Sequence, residues 1–391
     1  MSIQFVNLEL WFVNSDKQFT TEQMYGFALH QAKINVDRAL TLGATKIALL
    51  HIHDGFLHNN NQQYNGILTQ IKEYCYSKSI QHLYLLIGMA EDNTSCLNLD
   101  GFEVISYCNM ANMAEVAYAG IQTEWNTSAN KFLFLTGKPS RYNRIVLLYK
   151  LFKAGLLKDC EWTFFKPLTD DAWCRNALAL SEEDYDTFVH QCERTIDEKY
   201  SQGRAYTYVN GKQALEQQIF ESDLSKNFMY IDPSVFQNTC FSIISEGVYD
   251  DGNVYSKFLS EKTYRTIINK HPFIFAANPE MFVYLKAQGY KTFEQYMTIR
   301  DYALIENVND RLDAIVINAK DFLKTIQQNQ KYIKADVDYN FNLLITKVNE
   351  CKKIQKYLID NGANLADVDY WLNSLGPHRF IQIYEVENEN S

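Results

Sequence analysis

The chain predicts an α/β fold built from two successive Rossmann-like domains, each a parallel sheet covered on both faces. Three observations carry this. Short, wholly apolar runs recur along the 391 residues, as strands buried on both faces require. Segments with helical apolar spacing alternate with them. The alternation also restarts after "EWNTSAN", near residue 125, which divides the pattern in two.

In the first unit "IQFVNLELWFV" (3–13) reads as a strand. Residues 21–42 carry a helical period through Met24, Phe27, Ala28, Ala32, Val36 and Leu40, and Gly43 supplies the stop. "TKIALLHIH" is the next strand, followed by the loop "HDGFLHNNNQQYNG", a helix over 64–78 and the strands "HLYLLIGMA" and "FEVISY". In the second unit "KFLFLTGK" is a strand, 141–156 a helix, "CEWTFF" a strand and 181–199 a charged helix. The turn-rich "YTYVNGK" precedes the strands "NFMYI" and "CFSIISE", a helix opening at Ser260, the strand "PFIFAAN" and a helix over 279–288. Residues 301–360 have no strand pattern. "RLDAIVINAKDFLKTIQQ" and "NFNLLITKVNECKKIQKYL" are amphipathic helices, and the "EVENENS" tail reads as disordered. The expected organisation is therefore 1–125, 126–300 and a helical C-terminal extension over 301–391, with the first two domains facing each other across a cleft. In open α/β sheets the ligand lies outside the carboxyl ends of the strands, so the loops after the strands matter most.

Composition narrows the function. A hydrophobic fraction of 47% and a charged fraction of 21% are those of a soluble globular protein. The high counts of Tyr (26) and Phe (24), with abundant Asn, Lys and Ile, point to an AT-rich genome such as a phage, a giant virus or a low-GC bacterium. A net charge of −10 disfavours non-specific nucleic-acid binding. The start "MSIQFVNLELWFVNSDK" carries no basic leader and no apolar run reaches membrane-span length, so a cytoplasmic location is expected. Eight scattered cysteines with no C-x-x-C pair argue against zinc and redox sites.

Several signatures are absent. No G-x-G-x-x-G follows a strand, and there is neither a P-loop nor a G-x-S-x-G elbow. "DVD" at 336–338 and 367–369 reads as solvated acidic surface rather than a metal site. After the strand "TKIALLHIH", the residues His51, His53, Asp54 and His58 cluster. His-x-His with Asp has the makings of a metal site, but a His on an apolar strand is more often a satisfied core residue. Asp54, at the strand's carboxyl end, is the better candidate for a general base that deprotonates an acceptor hydroxyl.

The stretch "CFSIISEGVYDDGNVYSKFLSEKTYRTIINKHPFIFAAN" (240–278) concentrates the remaining chemistry. Ser260 is a good N-cap, and Glu261 and Lys262 fall in the first turn, where the helix favours an anion. Lys262 with Arg141 or Arg144 would neutralise a diphosphate leaving group, and Glu261 would accept from ribose hydroxyls. The competing reading is a capped helix with an ordinary surface Glu–Lys pair.

This stretch resembles the donor-binding region of the α1,3-fucosyltransferases. In that family an apolar strand ends in a Phe-Glu-Asn-like element. After a short loop come an aromatic, a small hydroxyl residue, Glu-Lys and an aromatic-Arg that open a helix before the next apolar strand. "FSIISE", ending at Glu246, corresponds to the first element, and Phe258, Ser260, Glu261, Lys262, Tyr264 and Arg265 to the second. "KFLFLTGKPSRYNRIVLLYKLFKAGLL" (131–157) resembles the family's domain opening, with Arg141 or Arg144 in place of the arginine that reaches the donor diphosphate. Phage and viral glycosyltransferase-like proteins with "SEKT"-type segments are similar too. Gly247 stands where the family has Asn, and the loop from Glu246 to Glu261 is longer.

The resemblance covers 131–290 and implies a glycosyltransferase of the GT-B arrangement that moves a sugar from a nucleotide-sugar donor to a hydroxyl. Arg141, Arg144, Glu246, Phe258, Ser260, Glu261, Lys262 and Arg265 would hold the donor, with Asp54 and Glu246 as catalytic groups. No metal and no cofactor is expected beyond the nucleotide-sugar co-substrate. The acceptor would be a glycan or small hydroxyl compound. The alternatives are a hydroxymethylated base in phage DNA, or a nucleotide-binding module without turnover.

Overall fold

A computed structural model describes residues 2–7, 21–51, 61–88, 98–135, 142–163, 171–192, 206–209, 212–215, 231, 233–246 and 259–373. Their contacts form two compact units. One comprises residues up to Met113 together with those from Lys347 on, and the other the residues between Ala114 and Thr346.

In the first unit β1 (Ile3–Asn7), β2 (Lys46–His51), β3 (Leu83–Ile87) and β4 (Glu103–Ser106) form one parallel sheet in sequential order. Between the first three strands run α1 (Thr21–Thr41) and α2 (Asn61–Ser77). Right-handed crossovers that always advance in one direction put both helices on one face. There Val36, Leu68 and Ile71 pack on Val6, Ile47, Leu49 and Leu85. α1 stops as its sequence implied: Gly43 takes φ +80°, and the N–H groups of Gly43 and Ala44 return to Leu40 and Ala39.

The opposite face carries Phe5, Leu50, Tyr84 and Leu86. It is covered by the end of α11 (Gln330–Asp360), by α12 (Leu365–Val368) and by the turn that follows it, through Leu358, Val368 and Leu372. A bridge between Ile3 and Ala363 ties this segment to the sheet's outer strand.

In the second unit β5 (Phe132–Leu135), β6 (Cys160–Thr163), β9 (Phe241–Ser245) and β10 (Phe273–Ala276) are all parallel, in the order β10-β9-β5-β6. The helices here are α4 (Tyr142–Lys153), α5 (Asp171–Leu178), α6 (Glu182–Cys192), α7 (Ser234–Gln237), α8 (Glu261–Ile268), α9 (Pro279–Ala287) and α10 (Val308–Thr325). α3 (Asn109–Ala117) begins in the first unit and ends in the second. Aromatic stacking fills the core: Phe132 and Phe241 lie 5.3 Å apart, and Phe322 of α10 sits 4.9 Å from Phe241.

Three expectations change. The boundary set near residue 125 falls earlier, because Trp125 donates to the Cys240 carbonyl (2.8 Å) and Tyr118 exchanges hydrogen bonds with the backbone of Ile231 (both 3.0 Å). Nor do residues 301–391 stand apart: α10 and α11 up to Thr346 belong to the second unit, and Lys347 onward to the first. "YTYVNGK", read as turns, contributes the antiparallel pair β7 (Tyr206–Val209) and β8 (Lys212–Leu215).

Candidate functional site

The two sheets differ in the one respect that decides where a ligand can enter. Strand order in the first sheet never reverses. In the second, the chain starts at β5, moves to β6 on one side, and later returns to β9 and β10 on the other. The carboxyl ends of β5 and β9 therefore flank a topological switch point, where consecutive crossovers diverge to opposite faces and leave a crevice.

Side chains at this point come from both faces. Asn143, in the first turn of α4, donates to Ser245 Oγ (2.9 Å) and to the carbonyl of Glu246 (3.3 Å). The next residue along β9 turns the other way: Glu246 Oε1 accepts from the Ser260 N–H (3.2 Å) and from Thr263 Oγ1 (2.5 Å). Alternation along the strand sends Ser245 to α4 and Glu246 to α8. Glu246 is fully buried (0% exposed), and its N–H extends the ladder to the Ala276 carbonyl (3.0 Å).

α8 opens as its sequence implied. Ser260 is its N-cap, and Ser260 Oγ accepts from the Lys262 N–H (3.3 Å). Lys262 Nζ pairs with Glu261 Oε1 at 2.6 Å, both side chains being less than one-fifth exposed. An open pocket beside this turn is lined by Leu135, Phe236, Ser245, Lys262, Arg265 and Thr266. Arg144 and Arg265 are buried, at 6% and 7% exposure. The anion expected at the start of α8 is supplied in part by the protein itself, through Glu246.

Of the residues singled out from sequence, Glu246, Ser260, Lys262 and Arg265 converge here. Glu261 is drawn in through its pair with Lys262, and Arg144 sits in the first turn of α4 beside Asn143. Asp54, Arg141 and Phe258 lie outside the described residues, as do His53, His58 and Gly247. Lys270 and His271, which follow α8 in sequence, do not join the site. Lys270 pairs with Glu124 at 2.6 Å and sits 5.0 Å over the Phe341 ring.

His271 is a core residue. Its Nε2 lies 2.9 Å from the Thr239 carbonyl, which only accepts, so Nε2 carries the proton and Nδ1 accepts from Ser242 Oγ at 2.8 Å. Burial depresses its pKa to about 4, leaving it neutral. Burial likewise pushes the thiols of Cys75, Cys192 and Cys240 up to about 12, which removes them as nucleophiles at neutral pH.

Sequence reasoning missed Asn143, Ser245 and Thr263. The signal was there for two of them. Asn143 shares a helical face with Leu147 and Leu151, and Thr263 with Ile267, so each is a polar residue in an apolar phase. Such a residue is buried and needs a partner at the strand ends.

Among the described residues no group of three or more His, Cys, Asp or Glu side chains is placed to hold a metal ion, and no helix is long and apolar enough to cross a membrane. No protein-family model, curated protein or solved structure matches the chain.

Proposed function

We propose that the protein is a glycosyltransferase that takes its sugar from a nucleotide-sugar donor bound at the β5/β9 switch point. The observation that carries this reading is the pocket at the strand end Ser245, lined by Lys262 and Arg265 of α8, with Arg144 in the first turn of α4, the helix that follows β5. Guanidinium and ammonium groups meet a diphosphate with matching charge and carry the negative charge that grows as the glycosidic bond breaks. Arg141 and Phe258 complete the donor site in this reading, and Glu261 turns from Lys262 to the ribose hydroxyls when the diphosphate takes its partner.

The two parallel-sheet units serve as the halves of a GT-B arrangement, with the acceptor, a glycan or a small hydroxyl compound, on the first unit. Asp54, after β2, acts there as general base. With the phosphate charge carried by side chains, transfer persists in EDTA.

A thermal-shift panel of nucleoside diphosphates and their sugars tests the reading, because a ligand that binds the folded state raises the melting temperature. One base family should give a shift. Lys262→Ala should weaken its binding by about 2–3 kcal/mol, as expected for a lost charge-assisted hydrogen bond. A panel without any shift, or unchanged calorimetric affinity in the variant, removes the nucleotide from this site.

A further inference from the structure

Cys108 and Cys351 are 243 positions apart in sequence and meet in the first unit. Cys108 follows β4, and its carbonyl accepts the first helical bond of α3, from the Asn112 N–H (3.2 Å). Cys351, on α11, directs its thiol at that same carbonyl, with Sγ 3.5 Å from the oxygen. Both side chains pack in the apolar cluster on the face of the first sheet that α11 covers. Their exposure differs: Cys351 is 2% exposed, whereas Cys108 is half-buried. Neighbouring residues hold the contact in place. Gln355 of α11 donates to Tyr107 Oη, while Tyr107 Oη and Asn112 Nδ2 both donate to the Leu372 carbonyl (3.3 Å each). Two thiols fixed side by side react without a diffusive search, and intramolecular reactions gain most from that.

We propose that Cys108 and Cys351 form a reversible redox clasp, in which a hydroperoxide oxidises the pair to a disulfide that locks α11 onto the first sheet. Cys108 is the half of the pair that a solute reaches. Its sulfur attacks the peroxide, the O–O bond breaks, and Cys108 becomes a sulfenic acid with release of one water. The Cys351 sulfur then bonds to the Cys108 sulfur and the S–O bond breaks. The thiol proton of Cys351 leaves with the hydroxyl as a second water. Two electrons pass from the two sulfurs to the peroxide, and a dithiol reverses the bond by exchange. Burial pushes the Cys351 thiol up, so it stays protonated and does not start the sequence.

The consequence follows from the path of the chain. Residues that cover Phe5, Leu50, Tyr84 and Leu86 come from far along the sequence. A cross-link between positions 243 apart removes much of the unfolded-state freedom that lets them leave. The spacing also hid the pair from sequence, where redox cysteines are sought as close neighbours.

The test treats the folded, full-length protein with limiting hydrogen peroxide, alkylates it under denaturing conditions and maps the peptides by mass spectrometry. Two of the eight thiols should be lost to alkylation. One peptide pair should carry a Cys108–Cys351 bond, two hydrogens lighter than its parts and split by dithiothreitol. The urea midpoint of unfolding should rise on oxidation and return on reduction. In Cys351→Ser, Cys108 should stop at the sulfenic acid and be trapped by dimedone, with no rise in the midpoint. Cys108 left unreacted, linked to another cysteine, or oxidised while Cys351 is still alkylated overturns the inference, and these readouts need no variant to fold. A Cys108–Cys351 bond that leaves the midpoint unchanged overturns the clasp. Each outcome is independent of whether a nucleotide binds the second unit.

Discussion

His271 shows how a side chain that looks functional in sequence is spent on the core. It lies between Thr239 and Ser242, 2% exposed, with both ring nitrogens engaged and Phe236 packed edge-on 5.5 Å from its ring. The neutral ring is favoured because protonation would bury a charge. The folded pKa of about 4 lies below the ordinary value of 6.5. Between these values the unfolded chain binds the extra proton, so this contribution to stability is complete above about pH 6.5 and declines as pH falls toward 4. The full loss is about 3 kcal/mol. Urea unfolding followed from pH 7 to pH 4 should show this decline, and a His271→Gln protein should lack it. An equal decline in both would assign the acid sensitivity elsewhere.

At the scale of elements, two asparagines do the work of a missing strand. Between α9 and α10 the chain runs through 3₁₀ turns with no sheet to satisfy its backbone. Asn318 of α10 binds both backbone groups of Ile299 (2.9 Å each), and Asn340 of α11 binds both of Lys291 (2.8 and 2.9 Å). A side-chain amide offers one donor and one acceptor in the geometry of a neighbouring peptide, so each Asn stands in for a strand partner. Asn340→Ala should cost about 2–4 kcal/mol, two stranded backbone groups at about 1–2 kcal/mol each. Chemical denaturation measures it, and a loss below about 0.5 kcal/mol would mean that water replaces the amide.

The same scale shows what the sequence made legible. The apolar strands, the Gly43 stop and the Ser260 cap were readable because each is local: a period, a φ > 0 position, a hydroxyl before an amphipathic turn. α3 and α5 escaped notice because short helices held by tertiary packing carry little periodicity of their own. The β7/β8 pair escaped although Asn210–Gly211 is a strong hairpin signal. Around Glu246, the neutral partners Asn143 and Thr263 were not singled out. The bond from Asn143 to Ser245 joins residues 102 positions apart, and no local pattern reports it.

At the scale of the whole molecule, the chain does not finish one unit before starting the next. The face of the first sheet formed by Phe5, Leu50, Tyr84 and Leu86 is covered in large part by residues far along the sequence, among them Leu358, Val368 and Leu372. A fragment of residues 1–125 should therefore remain without a fixed tertiary structure, with an apolar face that binds hydrophobic dyes. Adding a peptide of residues 347–373 should restore native-like spectra, whereas a cooperative transition in the fragment alone would refute this. On the ribosome the same feature becomes a waiting time. At about 5–20 residues per second, residues 358–372 emerge roughly a quarter of a minute to a minute after β3. Throughout that interval the nascent sheet presents an uncovered, strand-lined surface, so the cell that makes this protein has to shelter β1 to β3 until residues 358–372 have been translated.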